Sequence, residues 1–250
     1  MRIVVCVKQV AVLGDEVEFA ADGRDVDPDY LDRAVNEWDL VATEEALQIR
    51  ERLGEGEVVA VSVGDEESEA ALRRCLAMGA DRAIRIEAEA ADPLGVARAL
   101  AGIVAAEEPD LVFCGVQSSD AVQAATGTAL AELLGLPRVA VVTRVDYDHR
   151  GQRAEVDREL EGGLVDVVDV DTPALLTIQT GTNQPRYANL RAIKQAEQVE
   201  IDVRQADAGE PAARVRRMFA PPKGEGAEML DGGAAAVAAR IAEIVRERLT

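Results

Sequence analysis

The chain has 250 residues with 48% hydrophobic side chains, enough to bury a substantial core in one large domain or one domain with appendages. Its formal net charge is −20, and its one dense basic cluster is Arg214, Arg216 and Arg217, so we expect no nucleic-acid partner. The amino-terminal apolar run is too short for a signal peptide, and no later stretch is long enough to cross a bilayer. We therefore expect a cytoplasmic protein without membrane insertion.

The first half of the chain alternates short Val- and Ile-rich runs with segments of helical periodicity. Four runs predict buried strands, at 3–7, 58–63, 83–86 and 111–115. Four segments with apolar residues at three and four spacing predict helices, at 36–53, 66–78, 94–106 and 121–134. This alternation predicts a parallel sheet with helices on both faces.

After Pro137 the pattern changes to consecutive strand candidates joined by polar turns. These candidates occupy 139–147, 154–158, 164–170 and 174–179. Because short turns join antiparallel neighbours, we expect this part to extend the sheet with antiparallel strands.

Beyond residue 196 the chain becomes polar and then rich in Pro and Gly. It ends in a predicted amphipathic helix at about 233–248, with an apolar face formed by Val237, Ile241, Ile244 and Val245. An isolated helix of this length is marginally stable, so it packs on its own domain or on a partner chain. We divide the chain into an α/β domain at 1–196 and an extended arm with a terminal helix at 197–250.

The sequence shows no catalytic or metal-binding pattern. Cys6, Cys75 and Cys114 are widely spaced, and His149 is the single histidine, so neither a zinc site nor a disulfide framework is predicted. Cys6 and Cys114 lie in apolar runs, which favours buried thiols. Neither the dinucleotide fingerprint nor the P-loop motif is present. We expect no catalytic residue and no metal.

One segment indicates ligand binding, at the carboxyl end of the predicted strand 111–115. Its sequence is Gly-Val-Gln-Ser-Ser-Asp at 115–120, followed by small residues at the start of a predicted helix. Ligands of open α/β sheets bind beyond the carboxyl ends of strands, and a helix amino terminus offers backbone N–H groups to phosphate. The alternative is that Ser119 or Asp120 simply caps the helix.

Five motifs occur together in one order along about four fifths of the chain. They are Val-Val-Cys-Val-Lys-Gln-Val at 4–10, Asn-Glu-Trp-Asp at 36–39, Ala-Met-Gly-Ala-Asp at 77–81, the 115–120 segment, and Arg-Tyr-Ala-Asn-Leu at 186–190. In this order they resemble the small (beta) subunit of the electron transfer flavoproteins. The resemblance implies a Rossmann-like, adenine-nucleotide-binding α/β fold for 1–196.

The resemblance also implies a heterodimer in which a larger alpha subunit holds the redox-active FAD and the beta subunit binds a structural AMP. Carried onto this chain, the AMP site consists of Cys6, Asn36, Glu37, Trp38, Asp39, Val63, Gly115, Gln117, Ser118, Ser119, Asp120, Gln123 and Thr126. Thr126 and nearby backbone amides are the candidates for the phosphate. Asn36 and Trp38 have plainer alternatives, as a helix cap and a core aromatic.

The segment 183–194 matches the family's recognition loop. Leu190 corresponds to the leucine that inserts into a hydrophobic pocket of the acyl-CoA dehydrogenase partner, and Tyr187 is expected to contact the same partner. The plainer alternative for Leu190 is an ordinary buried leucine. Glu159 matches a glutamate that lies near the alpha-subunit FAD, whereas by itself Arg158-Glu159 would be a solvated pair of little energetic consequence.

Three features depart from the family pattern. Gln195, Glu197 and Gln198 replace lysines that often follow the recognition loop, which predicts a different docking charge. The carboxy-terminal tail differs from the better-known members. The 115–126 loop reads Ser-Ser-Asp-Ala-Val-Gln-Ala-Ala-Thr from Ser118, and this leaves AMP and a second FAD both open.

The expected function is that of an electron carrier subunit, not an enzyme. The resemblance implies that electrons pass from acyl-CoA dehydrogenases to the alpha-subunit FAD and then to a quinone oxidoreductase or another acceptor. Two alternatives stay open. One is an electron-bifurcating relative that binds a second FAD in place of AMP and takes electrons from NADH. The other is a stand-alone adenine-nucleotide-binding regulatory protein.

Overall fold

The computed structural model describes residues 1–14, 16–90, 92–222, 226–227 and 229–249. Its strands are β1 (Arg2–Cys6), β2 (Gln9–Leu13), β3 (Leu31–Val35), β4 (Glu57–Val63), β5 (Arg82–Glu87), β6 (Leu111–Gly115), β7 (Arg138–Asp148), β8 (Arg153–Glu159), β9 (Val165–Asp171), β10 (Ala174–Ile178) and β11 (Asp202–Gln205). Its helices are α1 (Glu37–Leu53), α2 (Glu69–Met78), α3 (Pro93–Ala106), α4 (Thr126–Leu134), α5 (Leu190–Ala196) and α6 (Ala234–Leu249).

Nine of these strands form one mixed sheet in the order β11-β5-β4-β1-β6-β10-β7-β8-β9. Neighbours from β11 to β7 are parallel, and β8 and β9 add an antiparallel extension. Strands β2 and β3 form a separate antiparallel hairpin. Helices pack on both faces of the sheet, so the predicted Rossmann-like α/β class is confirmed.

The two faces of the sheet have separate apolar cores. Ile3 and Val5 of β1 pack on the side of α1 and α2, whereas Val4 and Cys6 pack on the side of α3 and α4. A strand that is buried on both faces has no polar side to expose. This explains why β1 is an unbroken apolar run in the sequence.

The prediction of antiparallel strands in the second half of the chain is correct for β7, β8 and β9, which pair antiparallel in succession. It is wrong for β10. This strand inserts between β6 and β7 and runs parallel to both, with Leu176 opposite Phe113 on one side and Val139 on the other. All five residues of β10 are buried. Its sequence is apolar except for Thr177, which is typical of a central strand covered on both faces, and it lacks the alternation of an antiparallel strand with one solvent-exposed face.

The sheet also continues past residue 196, because β11 pairs in parallel with β5. This strand is short and polar, so the sequence gives no hydrophobic period by which to predict it. Helix α6 confirms the predicted terminal helix, and none of its described residues is buried. Ile241 and Val245 on its apolar face are each 49% exposed. Within the described ranges, no helix has the length and apolarity needed to cross a membrane.

Candidate functional site

A cavity of about 360 Å³ lies at the carboxyl ends of β1, β4 and β6, and we call it the switch-point pocket. The chain passes from β1 to β4 on one side and later returns to β6 on the other, so the connections diverge at this point of the sheet. Open α/β sheets bind ligands at such crevices. The predicted site residues that line it are Cys6, Asn36, Asp39, Val63, Gly115, Gln117, Ser118, Gln123 and Thr126.

Asp39 in the first turn of α1 joins the ends of β1 and β6. Its carboxylate accepts hydrogen bonds from the backbone N–H of Lys8, at 2.8 Å, and of Gly115, at 2.9 Å. Burial raises the pKa of Asp39 to about 6, although these hydrogen bonds and the charge of Lys8 oppose the rise. The buried carboxylate of Asp39 therefore holds the ends of β1 and β6 together in the wall of the pocket.

Asn36 holds the 115–120 segment against the start of α1. Its Nδ2 donates to the carbonyl of Gln117 at 2.8 Å, and its Oδ1 accepts from the backbone N–H of Ser119 at 3.3 Å. The side chain is 1% exposed and makes no capping hydrogen bond to α1. Asn36 thus stands at the N-cap position of α1, but its side chain does not cap the helix, because the amide fixes the loop.

Asp120 also does not cap a helix. It accepts hydrogen bonds from Lys8 Nζ at 2.7 and 2.8 Å and from the backbone N–H of Ala11 at 3.3 Å. Burial alone would raise the pKa of Asp120, but the hydrogen bonds from Lys8 and Ser118 and the charge of Lys8 outweigh it and lower the pKa. Asp120 and Ser119 lie outside the pocket lining, at the outer side of the loop.

Helix α4 begins at Thr126, five residues later than predicted, and its N-cap residue Ala125 makes no side-chain hydrogen bond to it. The preceding loop contains left-handed residues, Val122 with φ of 51° and Ala124 with φ of 48°, which no α-helix accommodates. Thr126 and Gly127 at the start of α4 line the pocket, and no side chain caps this end of the helix. Such a terminus is suited to an anion.

Two glycines allow the elements around the pocket to approach one another. A Cβ atom on Gly115 would lie 2.5 Å from Asp39 Oδ1 and from Trp38 Cβ. A Cβ atom on Gly127 would lie 2.8 Å from Thr177 Cγ2. Any larger side chain at either position would push α1 or α4 away from the sheet.

The floor of the pocket contains two neighbouring thiols. Cys6 and Cys114 are register partners on β1 and β6, and both are buried, as predicted. The adjacent Cys6 thiol and burial raise the pKa of Cys114, so its thiol stays protonated. Within the described residues, no group of three or more His, Cys, Asp or Glu side chains is placed to hold a metal ion.

The opposite wall of the pocket was missed by sequence reasoning. It is formed by the start of α3, where Asp92 caps the helix by accepting from the Gly95 N–H at 2.7 Å. Asp92 also accepts from the backbone N–H groups of Ala212 and Ala213 in the arm. The Asp-Pro pair at the start of the helix after β5 was the available signal, because that position also follows the carboxyl end of a strand.

Glu37, Trp38 and Glu159 lie outside the pocket lining. Glu37 is exposed, and Trp38 is half-buried, so Trp38 is not a core aromatic. Trp38 Nε1 donates to Gln179 Oε1 at 2.9 Å, and Gln179 Nε2 donates to Glu159 Oε2 at 3.3 Å. Glu159 is thus connected to Trp38 of α1 through Gln179. No ion pair between Glu159 and Arg158 is found among the described residues.

The recognition loop is exposed at the residues predicted to meet a partner. Tyr187 is 88% exposed and Leu190, the first residue of α5, is 78% exposed. Asn189 caps α5 by accepting from the Ala192 N–H at 2.9 Å. The buried-leucine alternative is therefore wrong within this chain, and the loop presents two large apolar side chains on a fixed backbone.

Comparisons with known proteins identify relatives of this chain. The family model described as electron transfer flavoprotein domain matches residues 26–208. An electron transfer flavoprotein subunit beta from Methylophilus methylotrophus is 45% identical over 261 residues, which cover 99% of this chain and 98% of that protein. The mitochondrial beta subunit from Arabidopsis thaliana is 38% identical over 80% of each chain.

The mouse electron transfer flavoprotein subunit beta is 35% identical over 81% of this chain and 80% of its own length. The similarity to the Methylophilus protein therefore includes nearly all of the arm and terminal helix, while the other two alignments cover less. The residues matched by the family model, 26–208, contain β4 and β6 of the switch-point pocket and the whole recognition loop. Strand β1 precedes them. The chain belongs to the electron transfer flavoprotein family and to its beta subunits.

Proposed function

We propose that this beta subunit pairs with an alpha subunit that holds the redox-active FAD. In this proposal it keeps AMP in the switch-point pocket and docks the heterodimer onto acyl-CoA dehydrogenase-type flavoenzymes. Electrons pass from those enzymes to the FAD and onward to a quinone oxidoreductase-type acceptor. One observation carries the proposal: in a chain of this family, α1 supports both a nucleotide-sized pocket and an exposed apolar loop. Asp39 of α1 fixes the pocket wall, and Glu44 of α1 binds Arg186 of the loop.

The pocket suits a mononucleotide. Its volume of about 360 Å³ lies near the lower end of the ~300–1,000 Å³ range of small-molecule sites. A dinucleotide such as FAD is about twice as large as AMP. The uncapped start of α4 at Thr126 would hold the phosphate, and the apolar wall at Val63 would contact the adenosine.

AMP supplies no redox chemistry of its own, so its role in this proposal is to tie together the elements around it. The start of α1, the 115–126 loop and the start of α4 all meet at the pocket. A ligand that binds the folded protein alone stabilises it by mass action. In this proposal the bound nucleotide keeps the Gly115 loop in place.

Helix α6 supports the heterodimer. None of its described residues is buried, Ile241 and Val245 are each 49% exposed, and a 16-residue helix alone is marginal in water. We propose that the apolar face of α6 packs on the alpha subunit. Glu159, at the exposed end of β8, is proposed to lie near the alpha-subunit FAD. The cytoplasmic location is part of the proposal, and the Arabidopsis relative is described as mitochondrial.

Co-expression with the candidate alpha subunit tests this function. We expect a stable heterodimer that is reduced by a purified acyl-CoA dehydrogenase in the presence of its acyl-CoA substrate. A chain that stays monomeric in the presence of every candidate alpha subunit would support the stand-alone regulatory alternative. Reduction of the heterodimer by NADH, without a dehydrogenase, would support the bifurcating alternative.

A further inference from the structure

Arg186 is the first of two residues that attach the recognition loop to α1. The Arg186 guanidinium donates to Glu44 at 2.8 and 2.9 Å and to Glu51 at 2.6 and 3.1 Å. Its backbone N–H also donates to Glu44 Oε2 at 3.2 Å. Two carboxylates spaced two turns apart on one helix thus hold both the side chain and the backbone of a single loop residue.

This attachment is built of strong contacts. The side chain of Glu44 is 5% exposed, and Gln48 Nε2 donates to it at 2.9 Å. Burial alone would raise the pKa of Glu44, but the hydrogen bonds from Arg186 and Gln48 lower it, so the carboxylate stays charged. Bidentate arginine–carboxylate pairs fix the relative orientation of the two side chains more strictly than single hydrogen bonds do.

A second anchor lies three residues before Arg186. Asn183 Nδ2 donates to the carbonyl of Val41 at 3.1 Å and to Glu45 Oε2 at 3.0 Å. The two anchors enclose Gln184 and Pro185, and the proline ring restricts the backbone between them. Tyr187 follows Arg186 directly, so the exposed part of the loop starts from a fixed point.

We propose that Arg186 and Glu44 are positioning residues that hold Tyr187 and Leu190 in the conformation that the dehydrogenase partner binds. This inference rests on the docking role given to the loop above. A loop that is ordered before binding loses less conformational entropy when the complex forms, which raises affinity without any new contact. Glu44 and Arg186 themselves need not touch the partner.

The test measures KM and kcat of the intact heterodimer as electron acceptor for a purified acyl-CoA dehydrogenase. The Arg186→Met and Glu44→Gln double variant removes both charges, so that no buried charge is left unpaired. We expect KM for the heterodimer to rise five- to tenfold with kcat unchanged, and Arg186→Lys to give a smaller rise. The controls are Arg150→Met, in the exposed β7–β8 turn, and Glu66→Gln, which is also exposed.

Hydrogen–deuterium exchange of the same heterodimers supplies a second readout. We expect faster exchange at 184–190 in the double variant and unchanged exchange in β1, β4 and β6. An unchanged KM, or an unchanged exchange rate in the loop, would overturn the positioning role. The Leu190→Ala variant distinguishes failure of the docking function from failure of the positioning role, because a normal KM for Leu190→Ala refutes the docking function itself.

Discussion

The switch-point pocket and the recognition loop use the same helix in opposite ways. The amino-terminal turn of α1 directs buried polar groups, Asn36 and Asp39, inward onto backbone N–H and C=O groups of neighbouring strands. Further along α1, Glu44 and Glu51 hold Arg186, and beyond Arg186 the chain exposes apolar side chains. The pocket is thus a concave site with a polar frame, and the loop is a convex site with a polar base and apolar tip.

This difference separates stability from docking. Pocket residues fill space between elements of the fold, so changing them should alter the free energy of unfolding. Loop-tip residues contact nothing that folding requires, so changing them should alter partner affinity alone. The following predictions test that separation in order of decreasing effect.

Gly115→Val should have the largest effect. Its side chain would occupy the space of Asp39 and Trp38, so we expect a loss of about 3 kcal/mol in the free energy of unfolding and loss of bound nucleotide. Chemical denaturation followed by circular dichroism measures the first. The matched control is Gly102→Ala in α3, where a Cβ meets nothing within 4 Å, and which should be neutral or stabilising by ~0.5–1 kcal/mol. Equal losses for the two variants would contradict the packing argument.

Leu190→Ala should lower kcat/KM with an acyl-CoA dehydrogenase about thirtyfold, which corresponds to about 2 kcal/mol of docking energy. The free energy of unfolding should not change, since the side chain is 78% exposed. Leu133→Ala on α4, 46% exposed, is the control. Full electron transfer by the Leu190→Ala heterodimer would remove the loop from the docking surface.

Trp38→Phe should lower the free energy of unfolding by about 1 kcal/mol, because an aromatic ring smaller than the indole is kept and the hydrogen bond to Gln179 is lost. Gln179→Leu should cost less in the Trp38→Phe background than in the wild type, since both changes break the same bond. The cost that remains in that background comes from the hydrogen bonds of Gln179 with Glu159 and with the Thr180 N–H. Circular dichroism must report unfolding, because Trp38 is the single tryptophan of the chain. Fully additive losses would show that the two side chains act independently.

The smallest effect is a titration. Asp39 should show a carboxyl carbon NMR shift with a midpoint near pH 6, raised from its ordinary 3.8 by burial. The folded protein then binds this proton more tightly than the unfolded chain, so the contribution to stability is greatest below pH 4 and is lost as pH rises through 6. Asp120 is the internal comparison, because its pKa is lowered. A midpoint for Asp39 at or below its ordinary value would refute the burial argument.

The sequence predicted the parts of the fold that bury continuous apolar runs. Strands β1, β4, β5 and β6 and helices α1, α2 and α3 lie close to where their periodicity places them. Strand β11 was not predicted, because its pairing with β5 depends on the sheet edge and not on its own polar sequence. The position of β10 depends on which strands it lies between, which local pattern does not encode.

The candidate site was predictable where a motif coincided with a strand end. Helix α4 starts late because Val122 and Ala124 adopt left-handed conformations, although Ala-Val-Gln-Ala-Ala reads as good helix sequence. The links from Asn36 to the 115–120 loop and from Lys8 to Asp120 join residues more than 80 positions apart. Only the folded arrangement of β1, β6 and α1 brings such partners together.

The most direct test of the account is the cofactor content of the purified heterodimer. After denaturation, chromatography of the released small molecules should yield one AMP and one FAD per heterodimer. The Gly115→Val heterodimer should retain the FAD and lose the AMP, because Gly115 lines the switch-point pocket whereas the FAD is proposed to be held by the alpha subunit. Two flavins and no AMP in the wild-type heterodimer would contradict the assignment of this pocket.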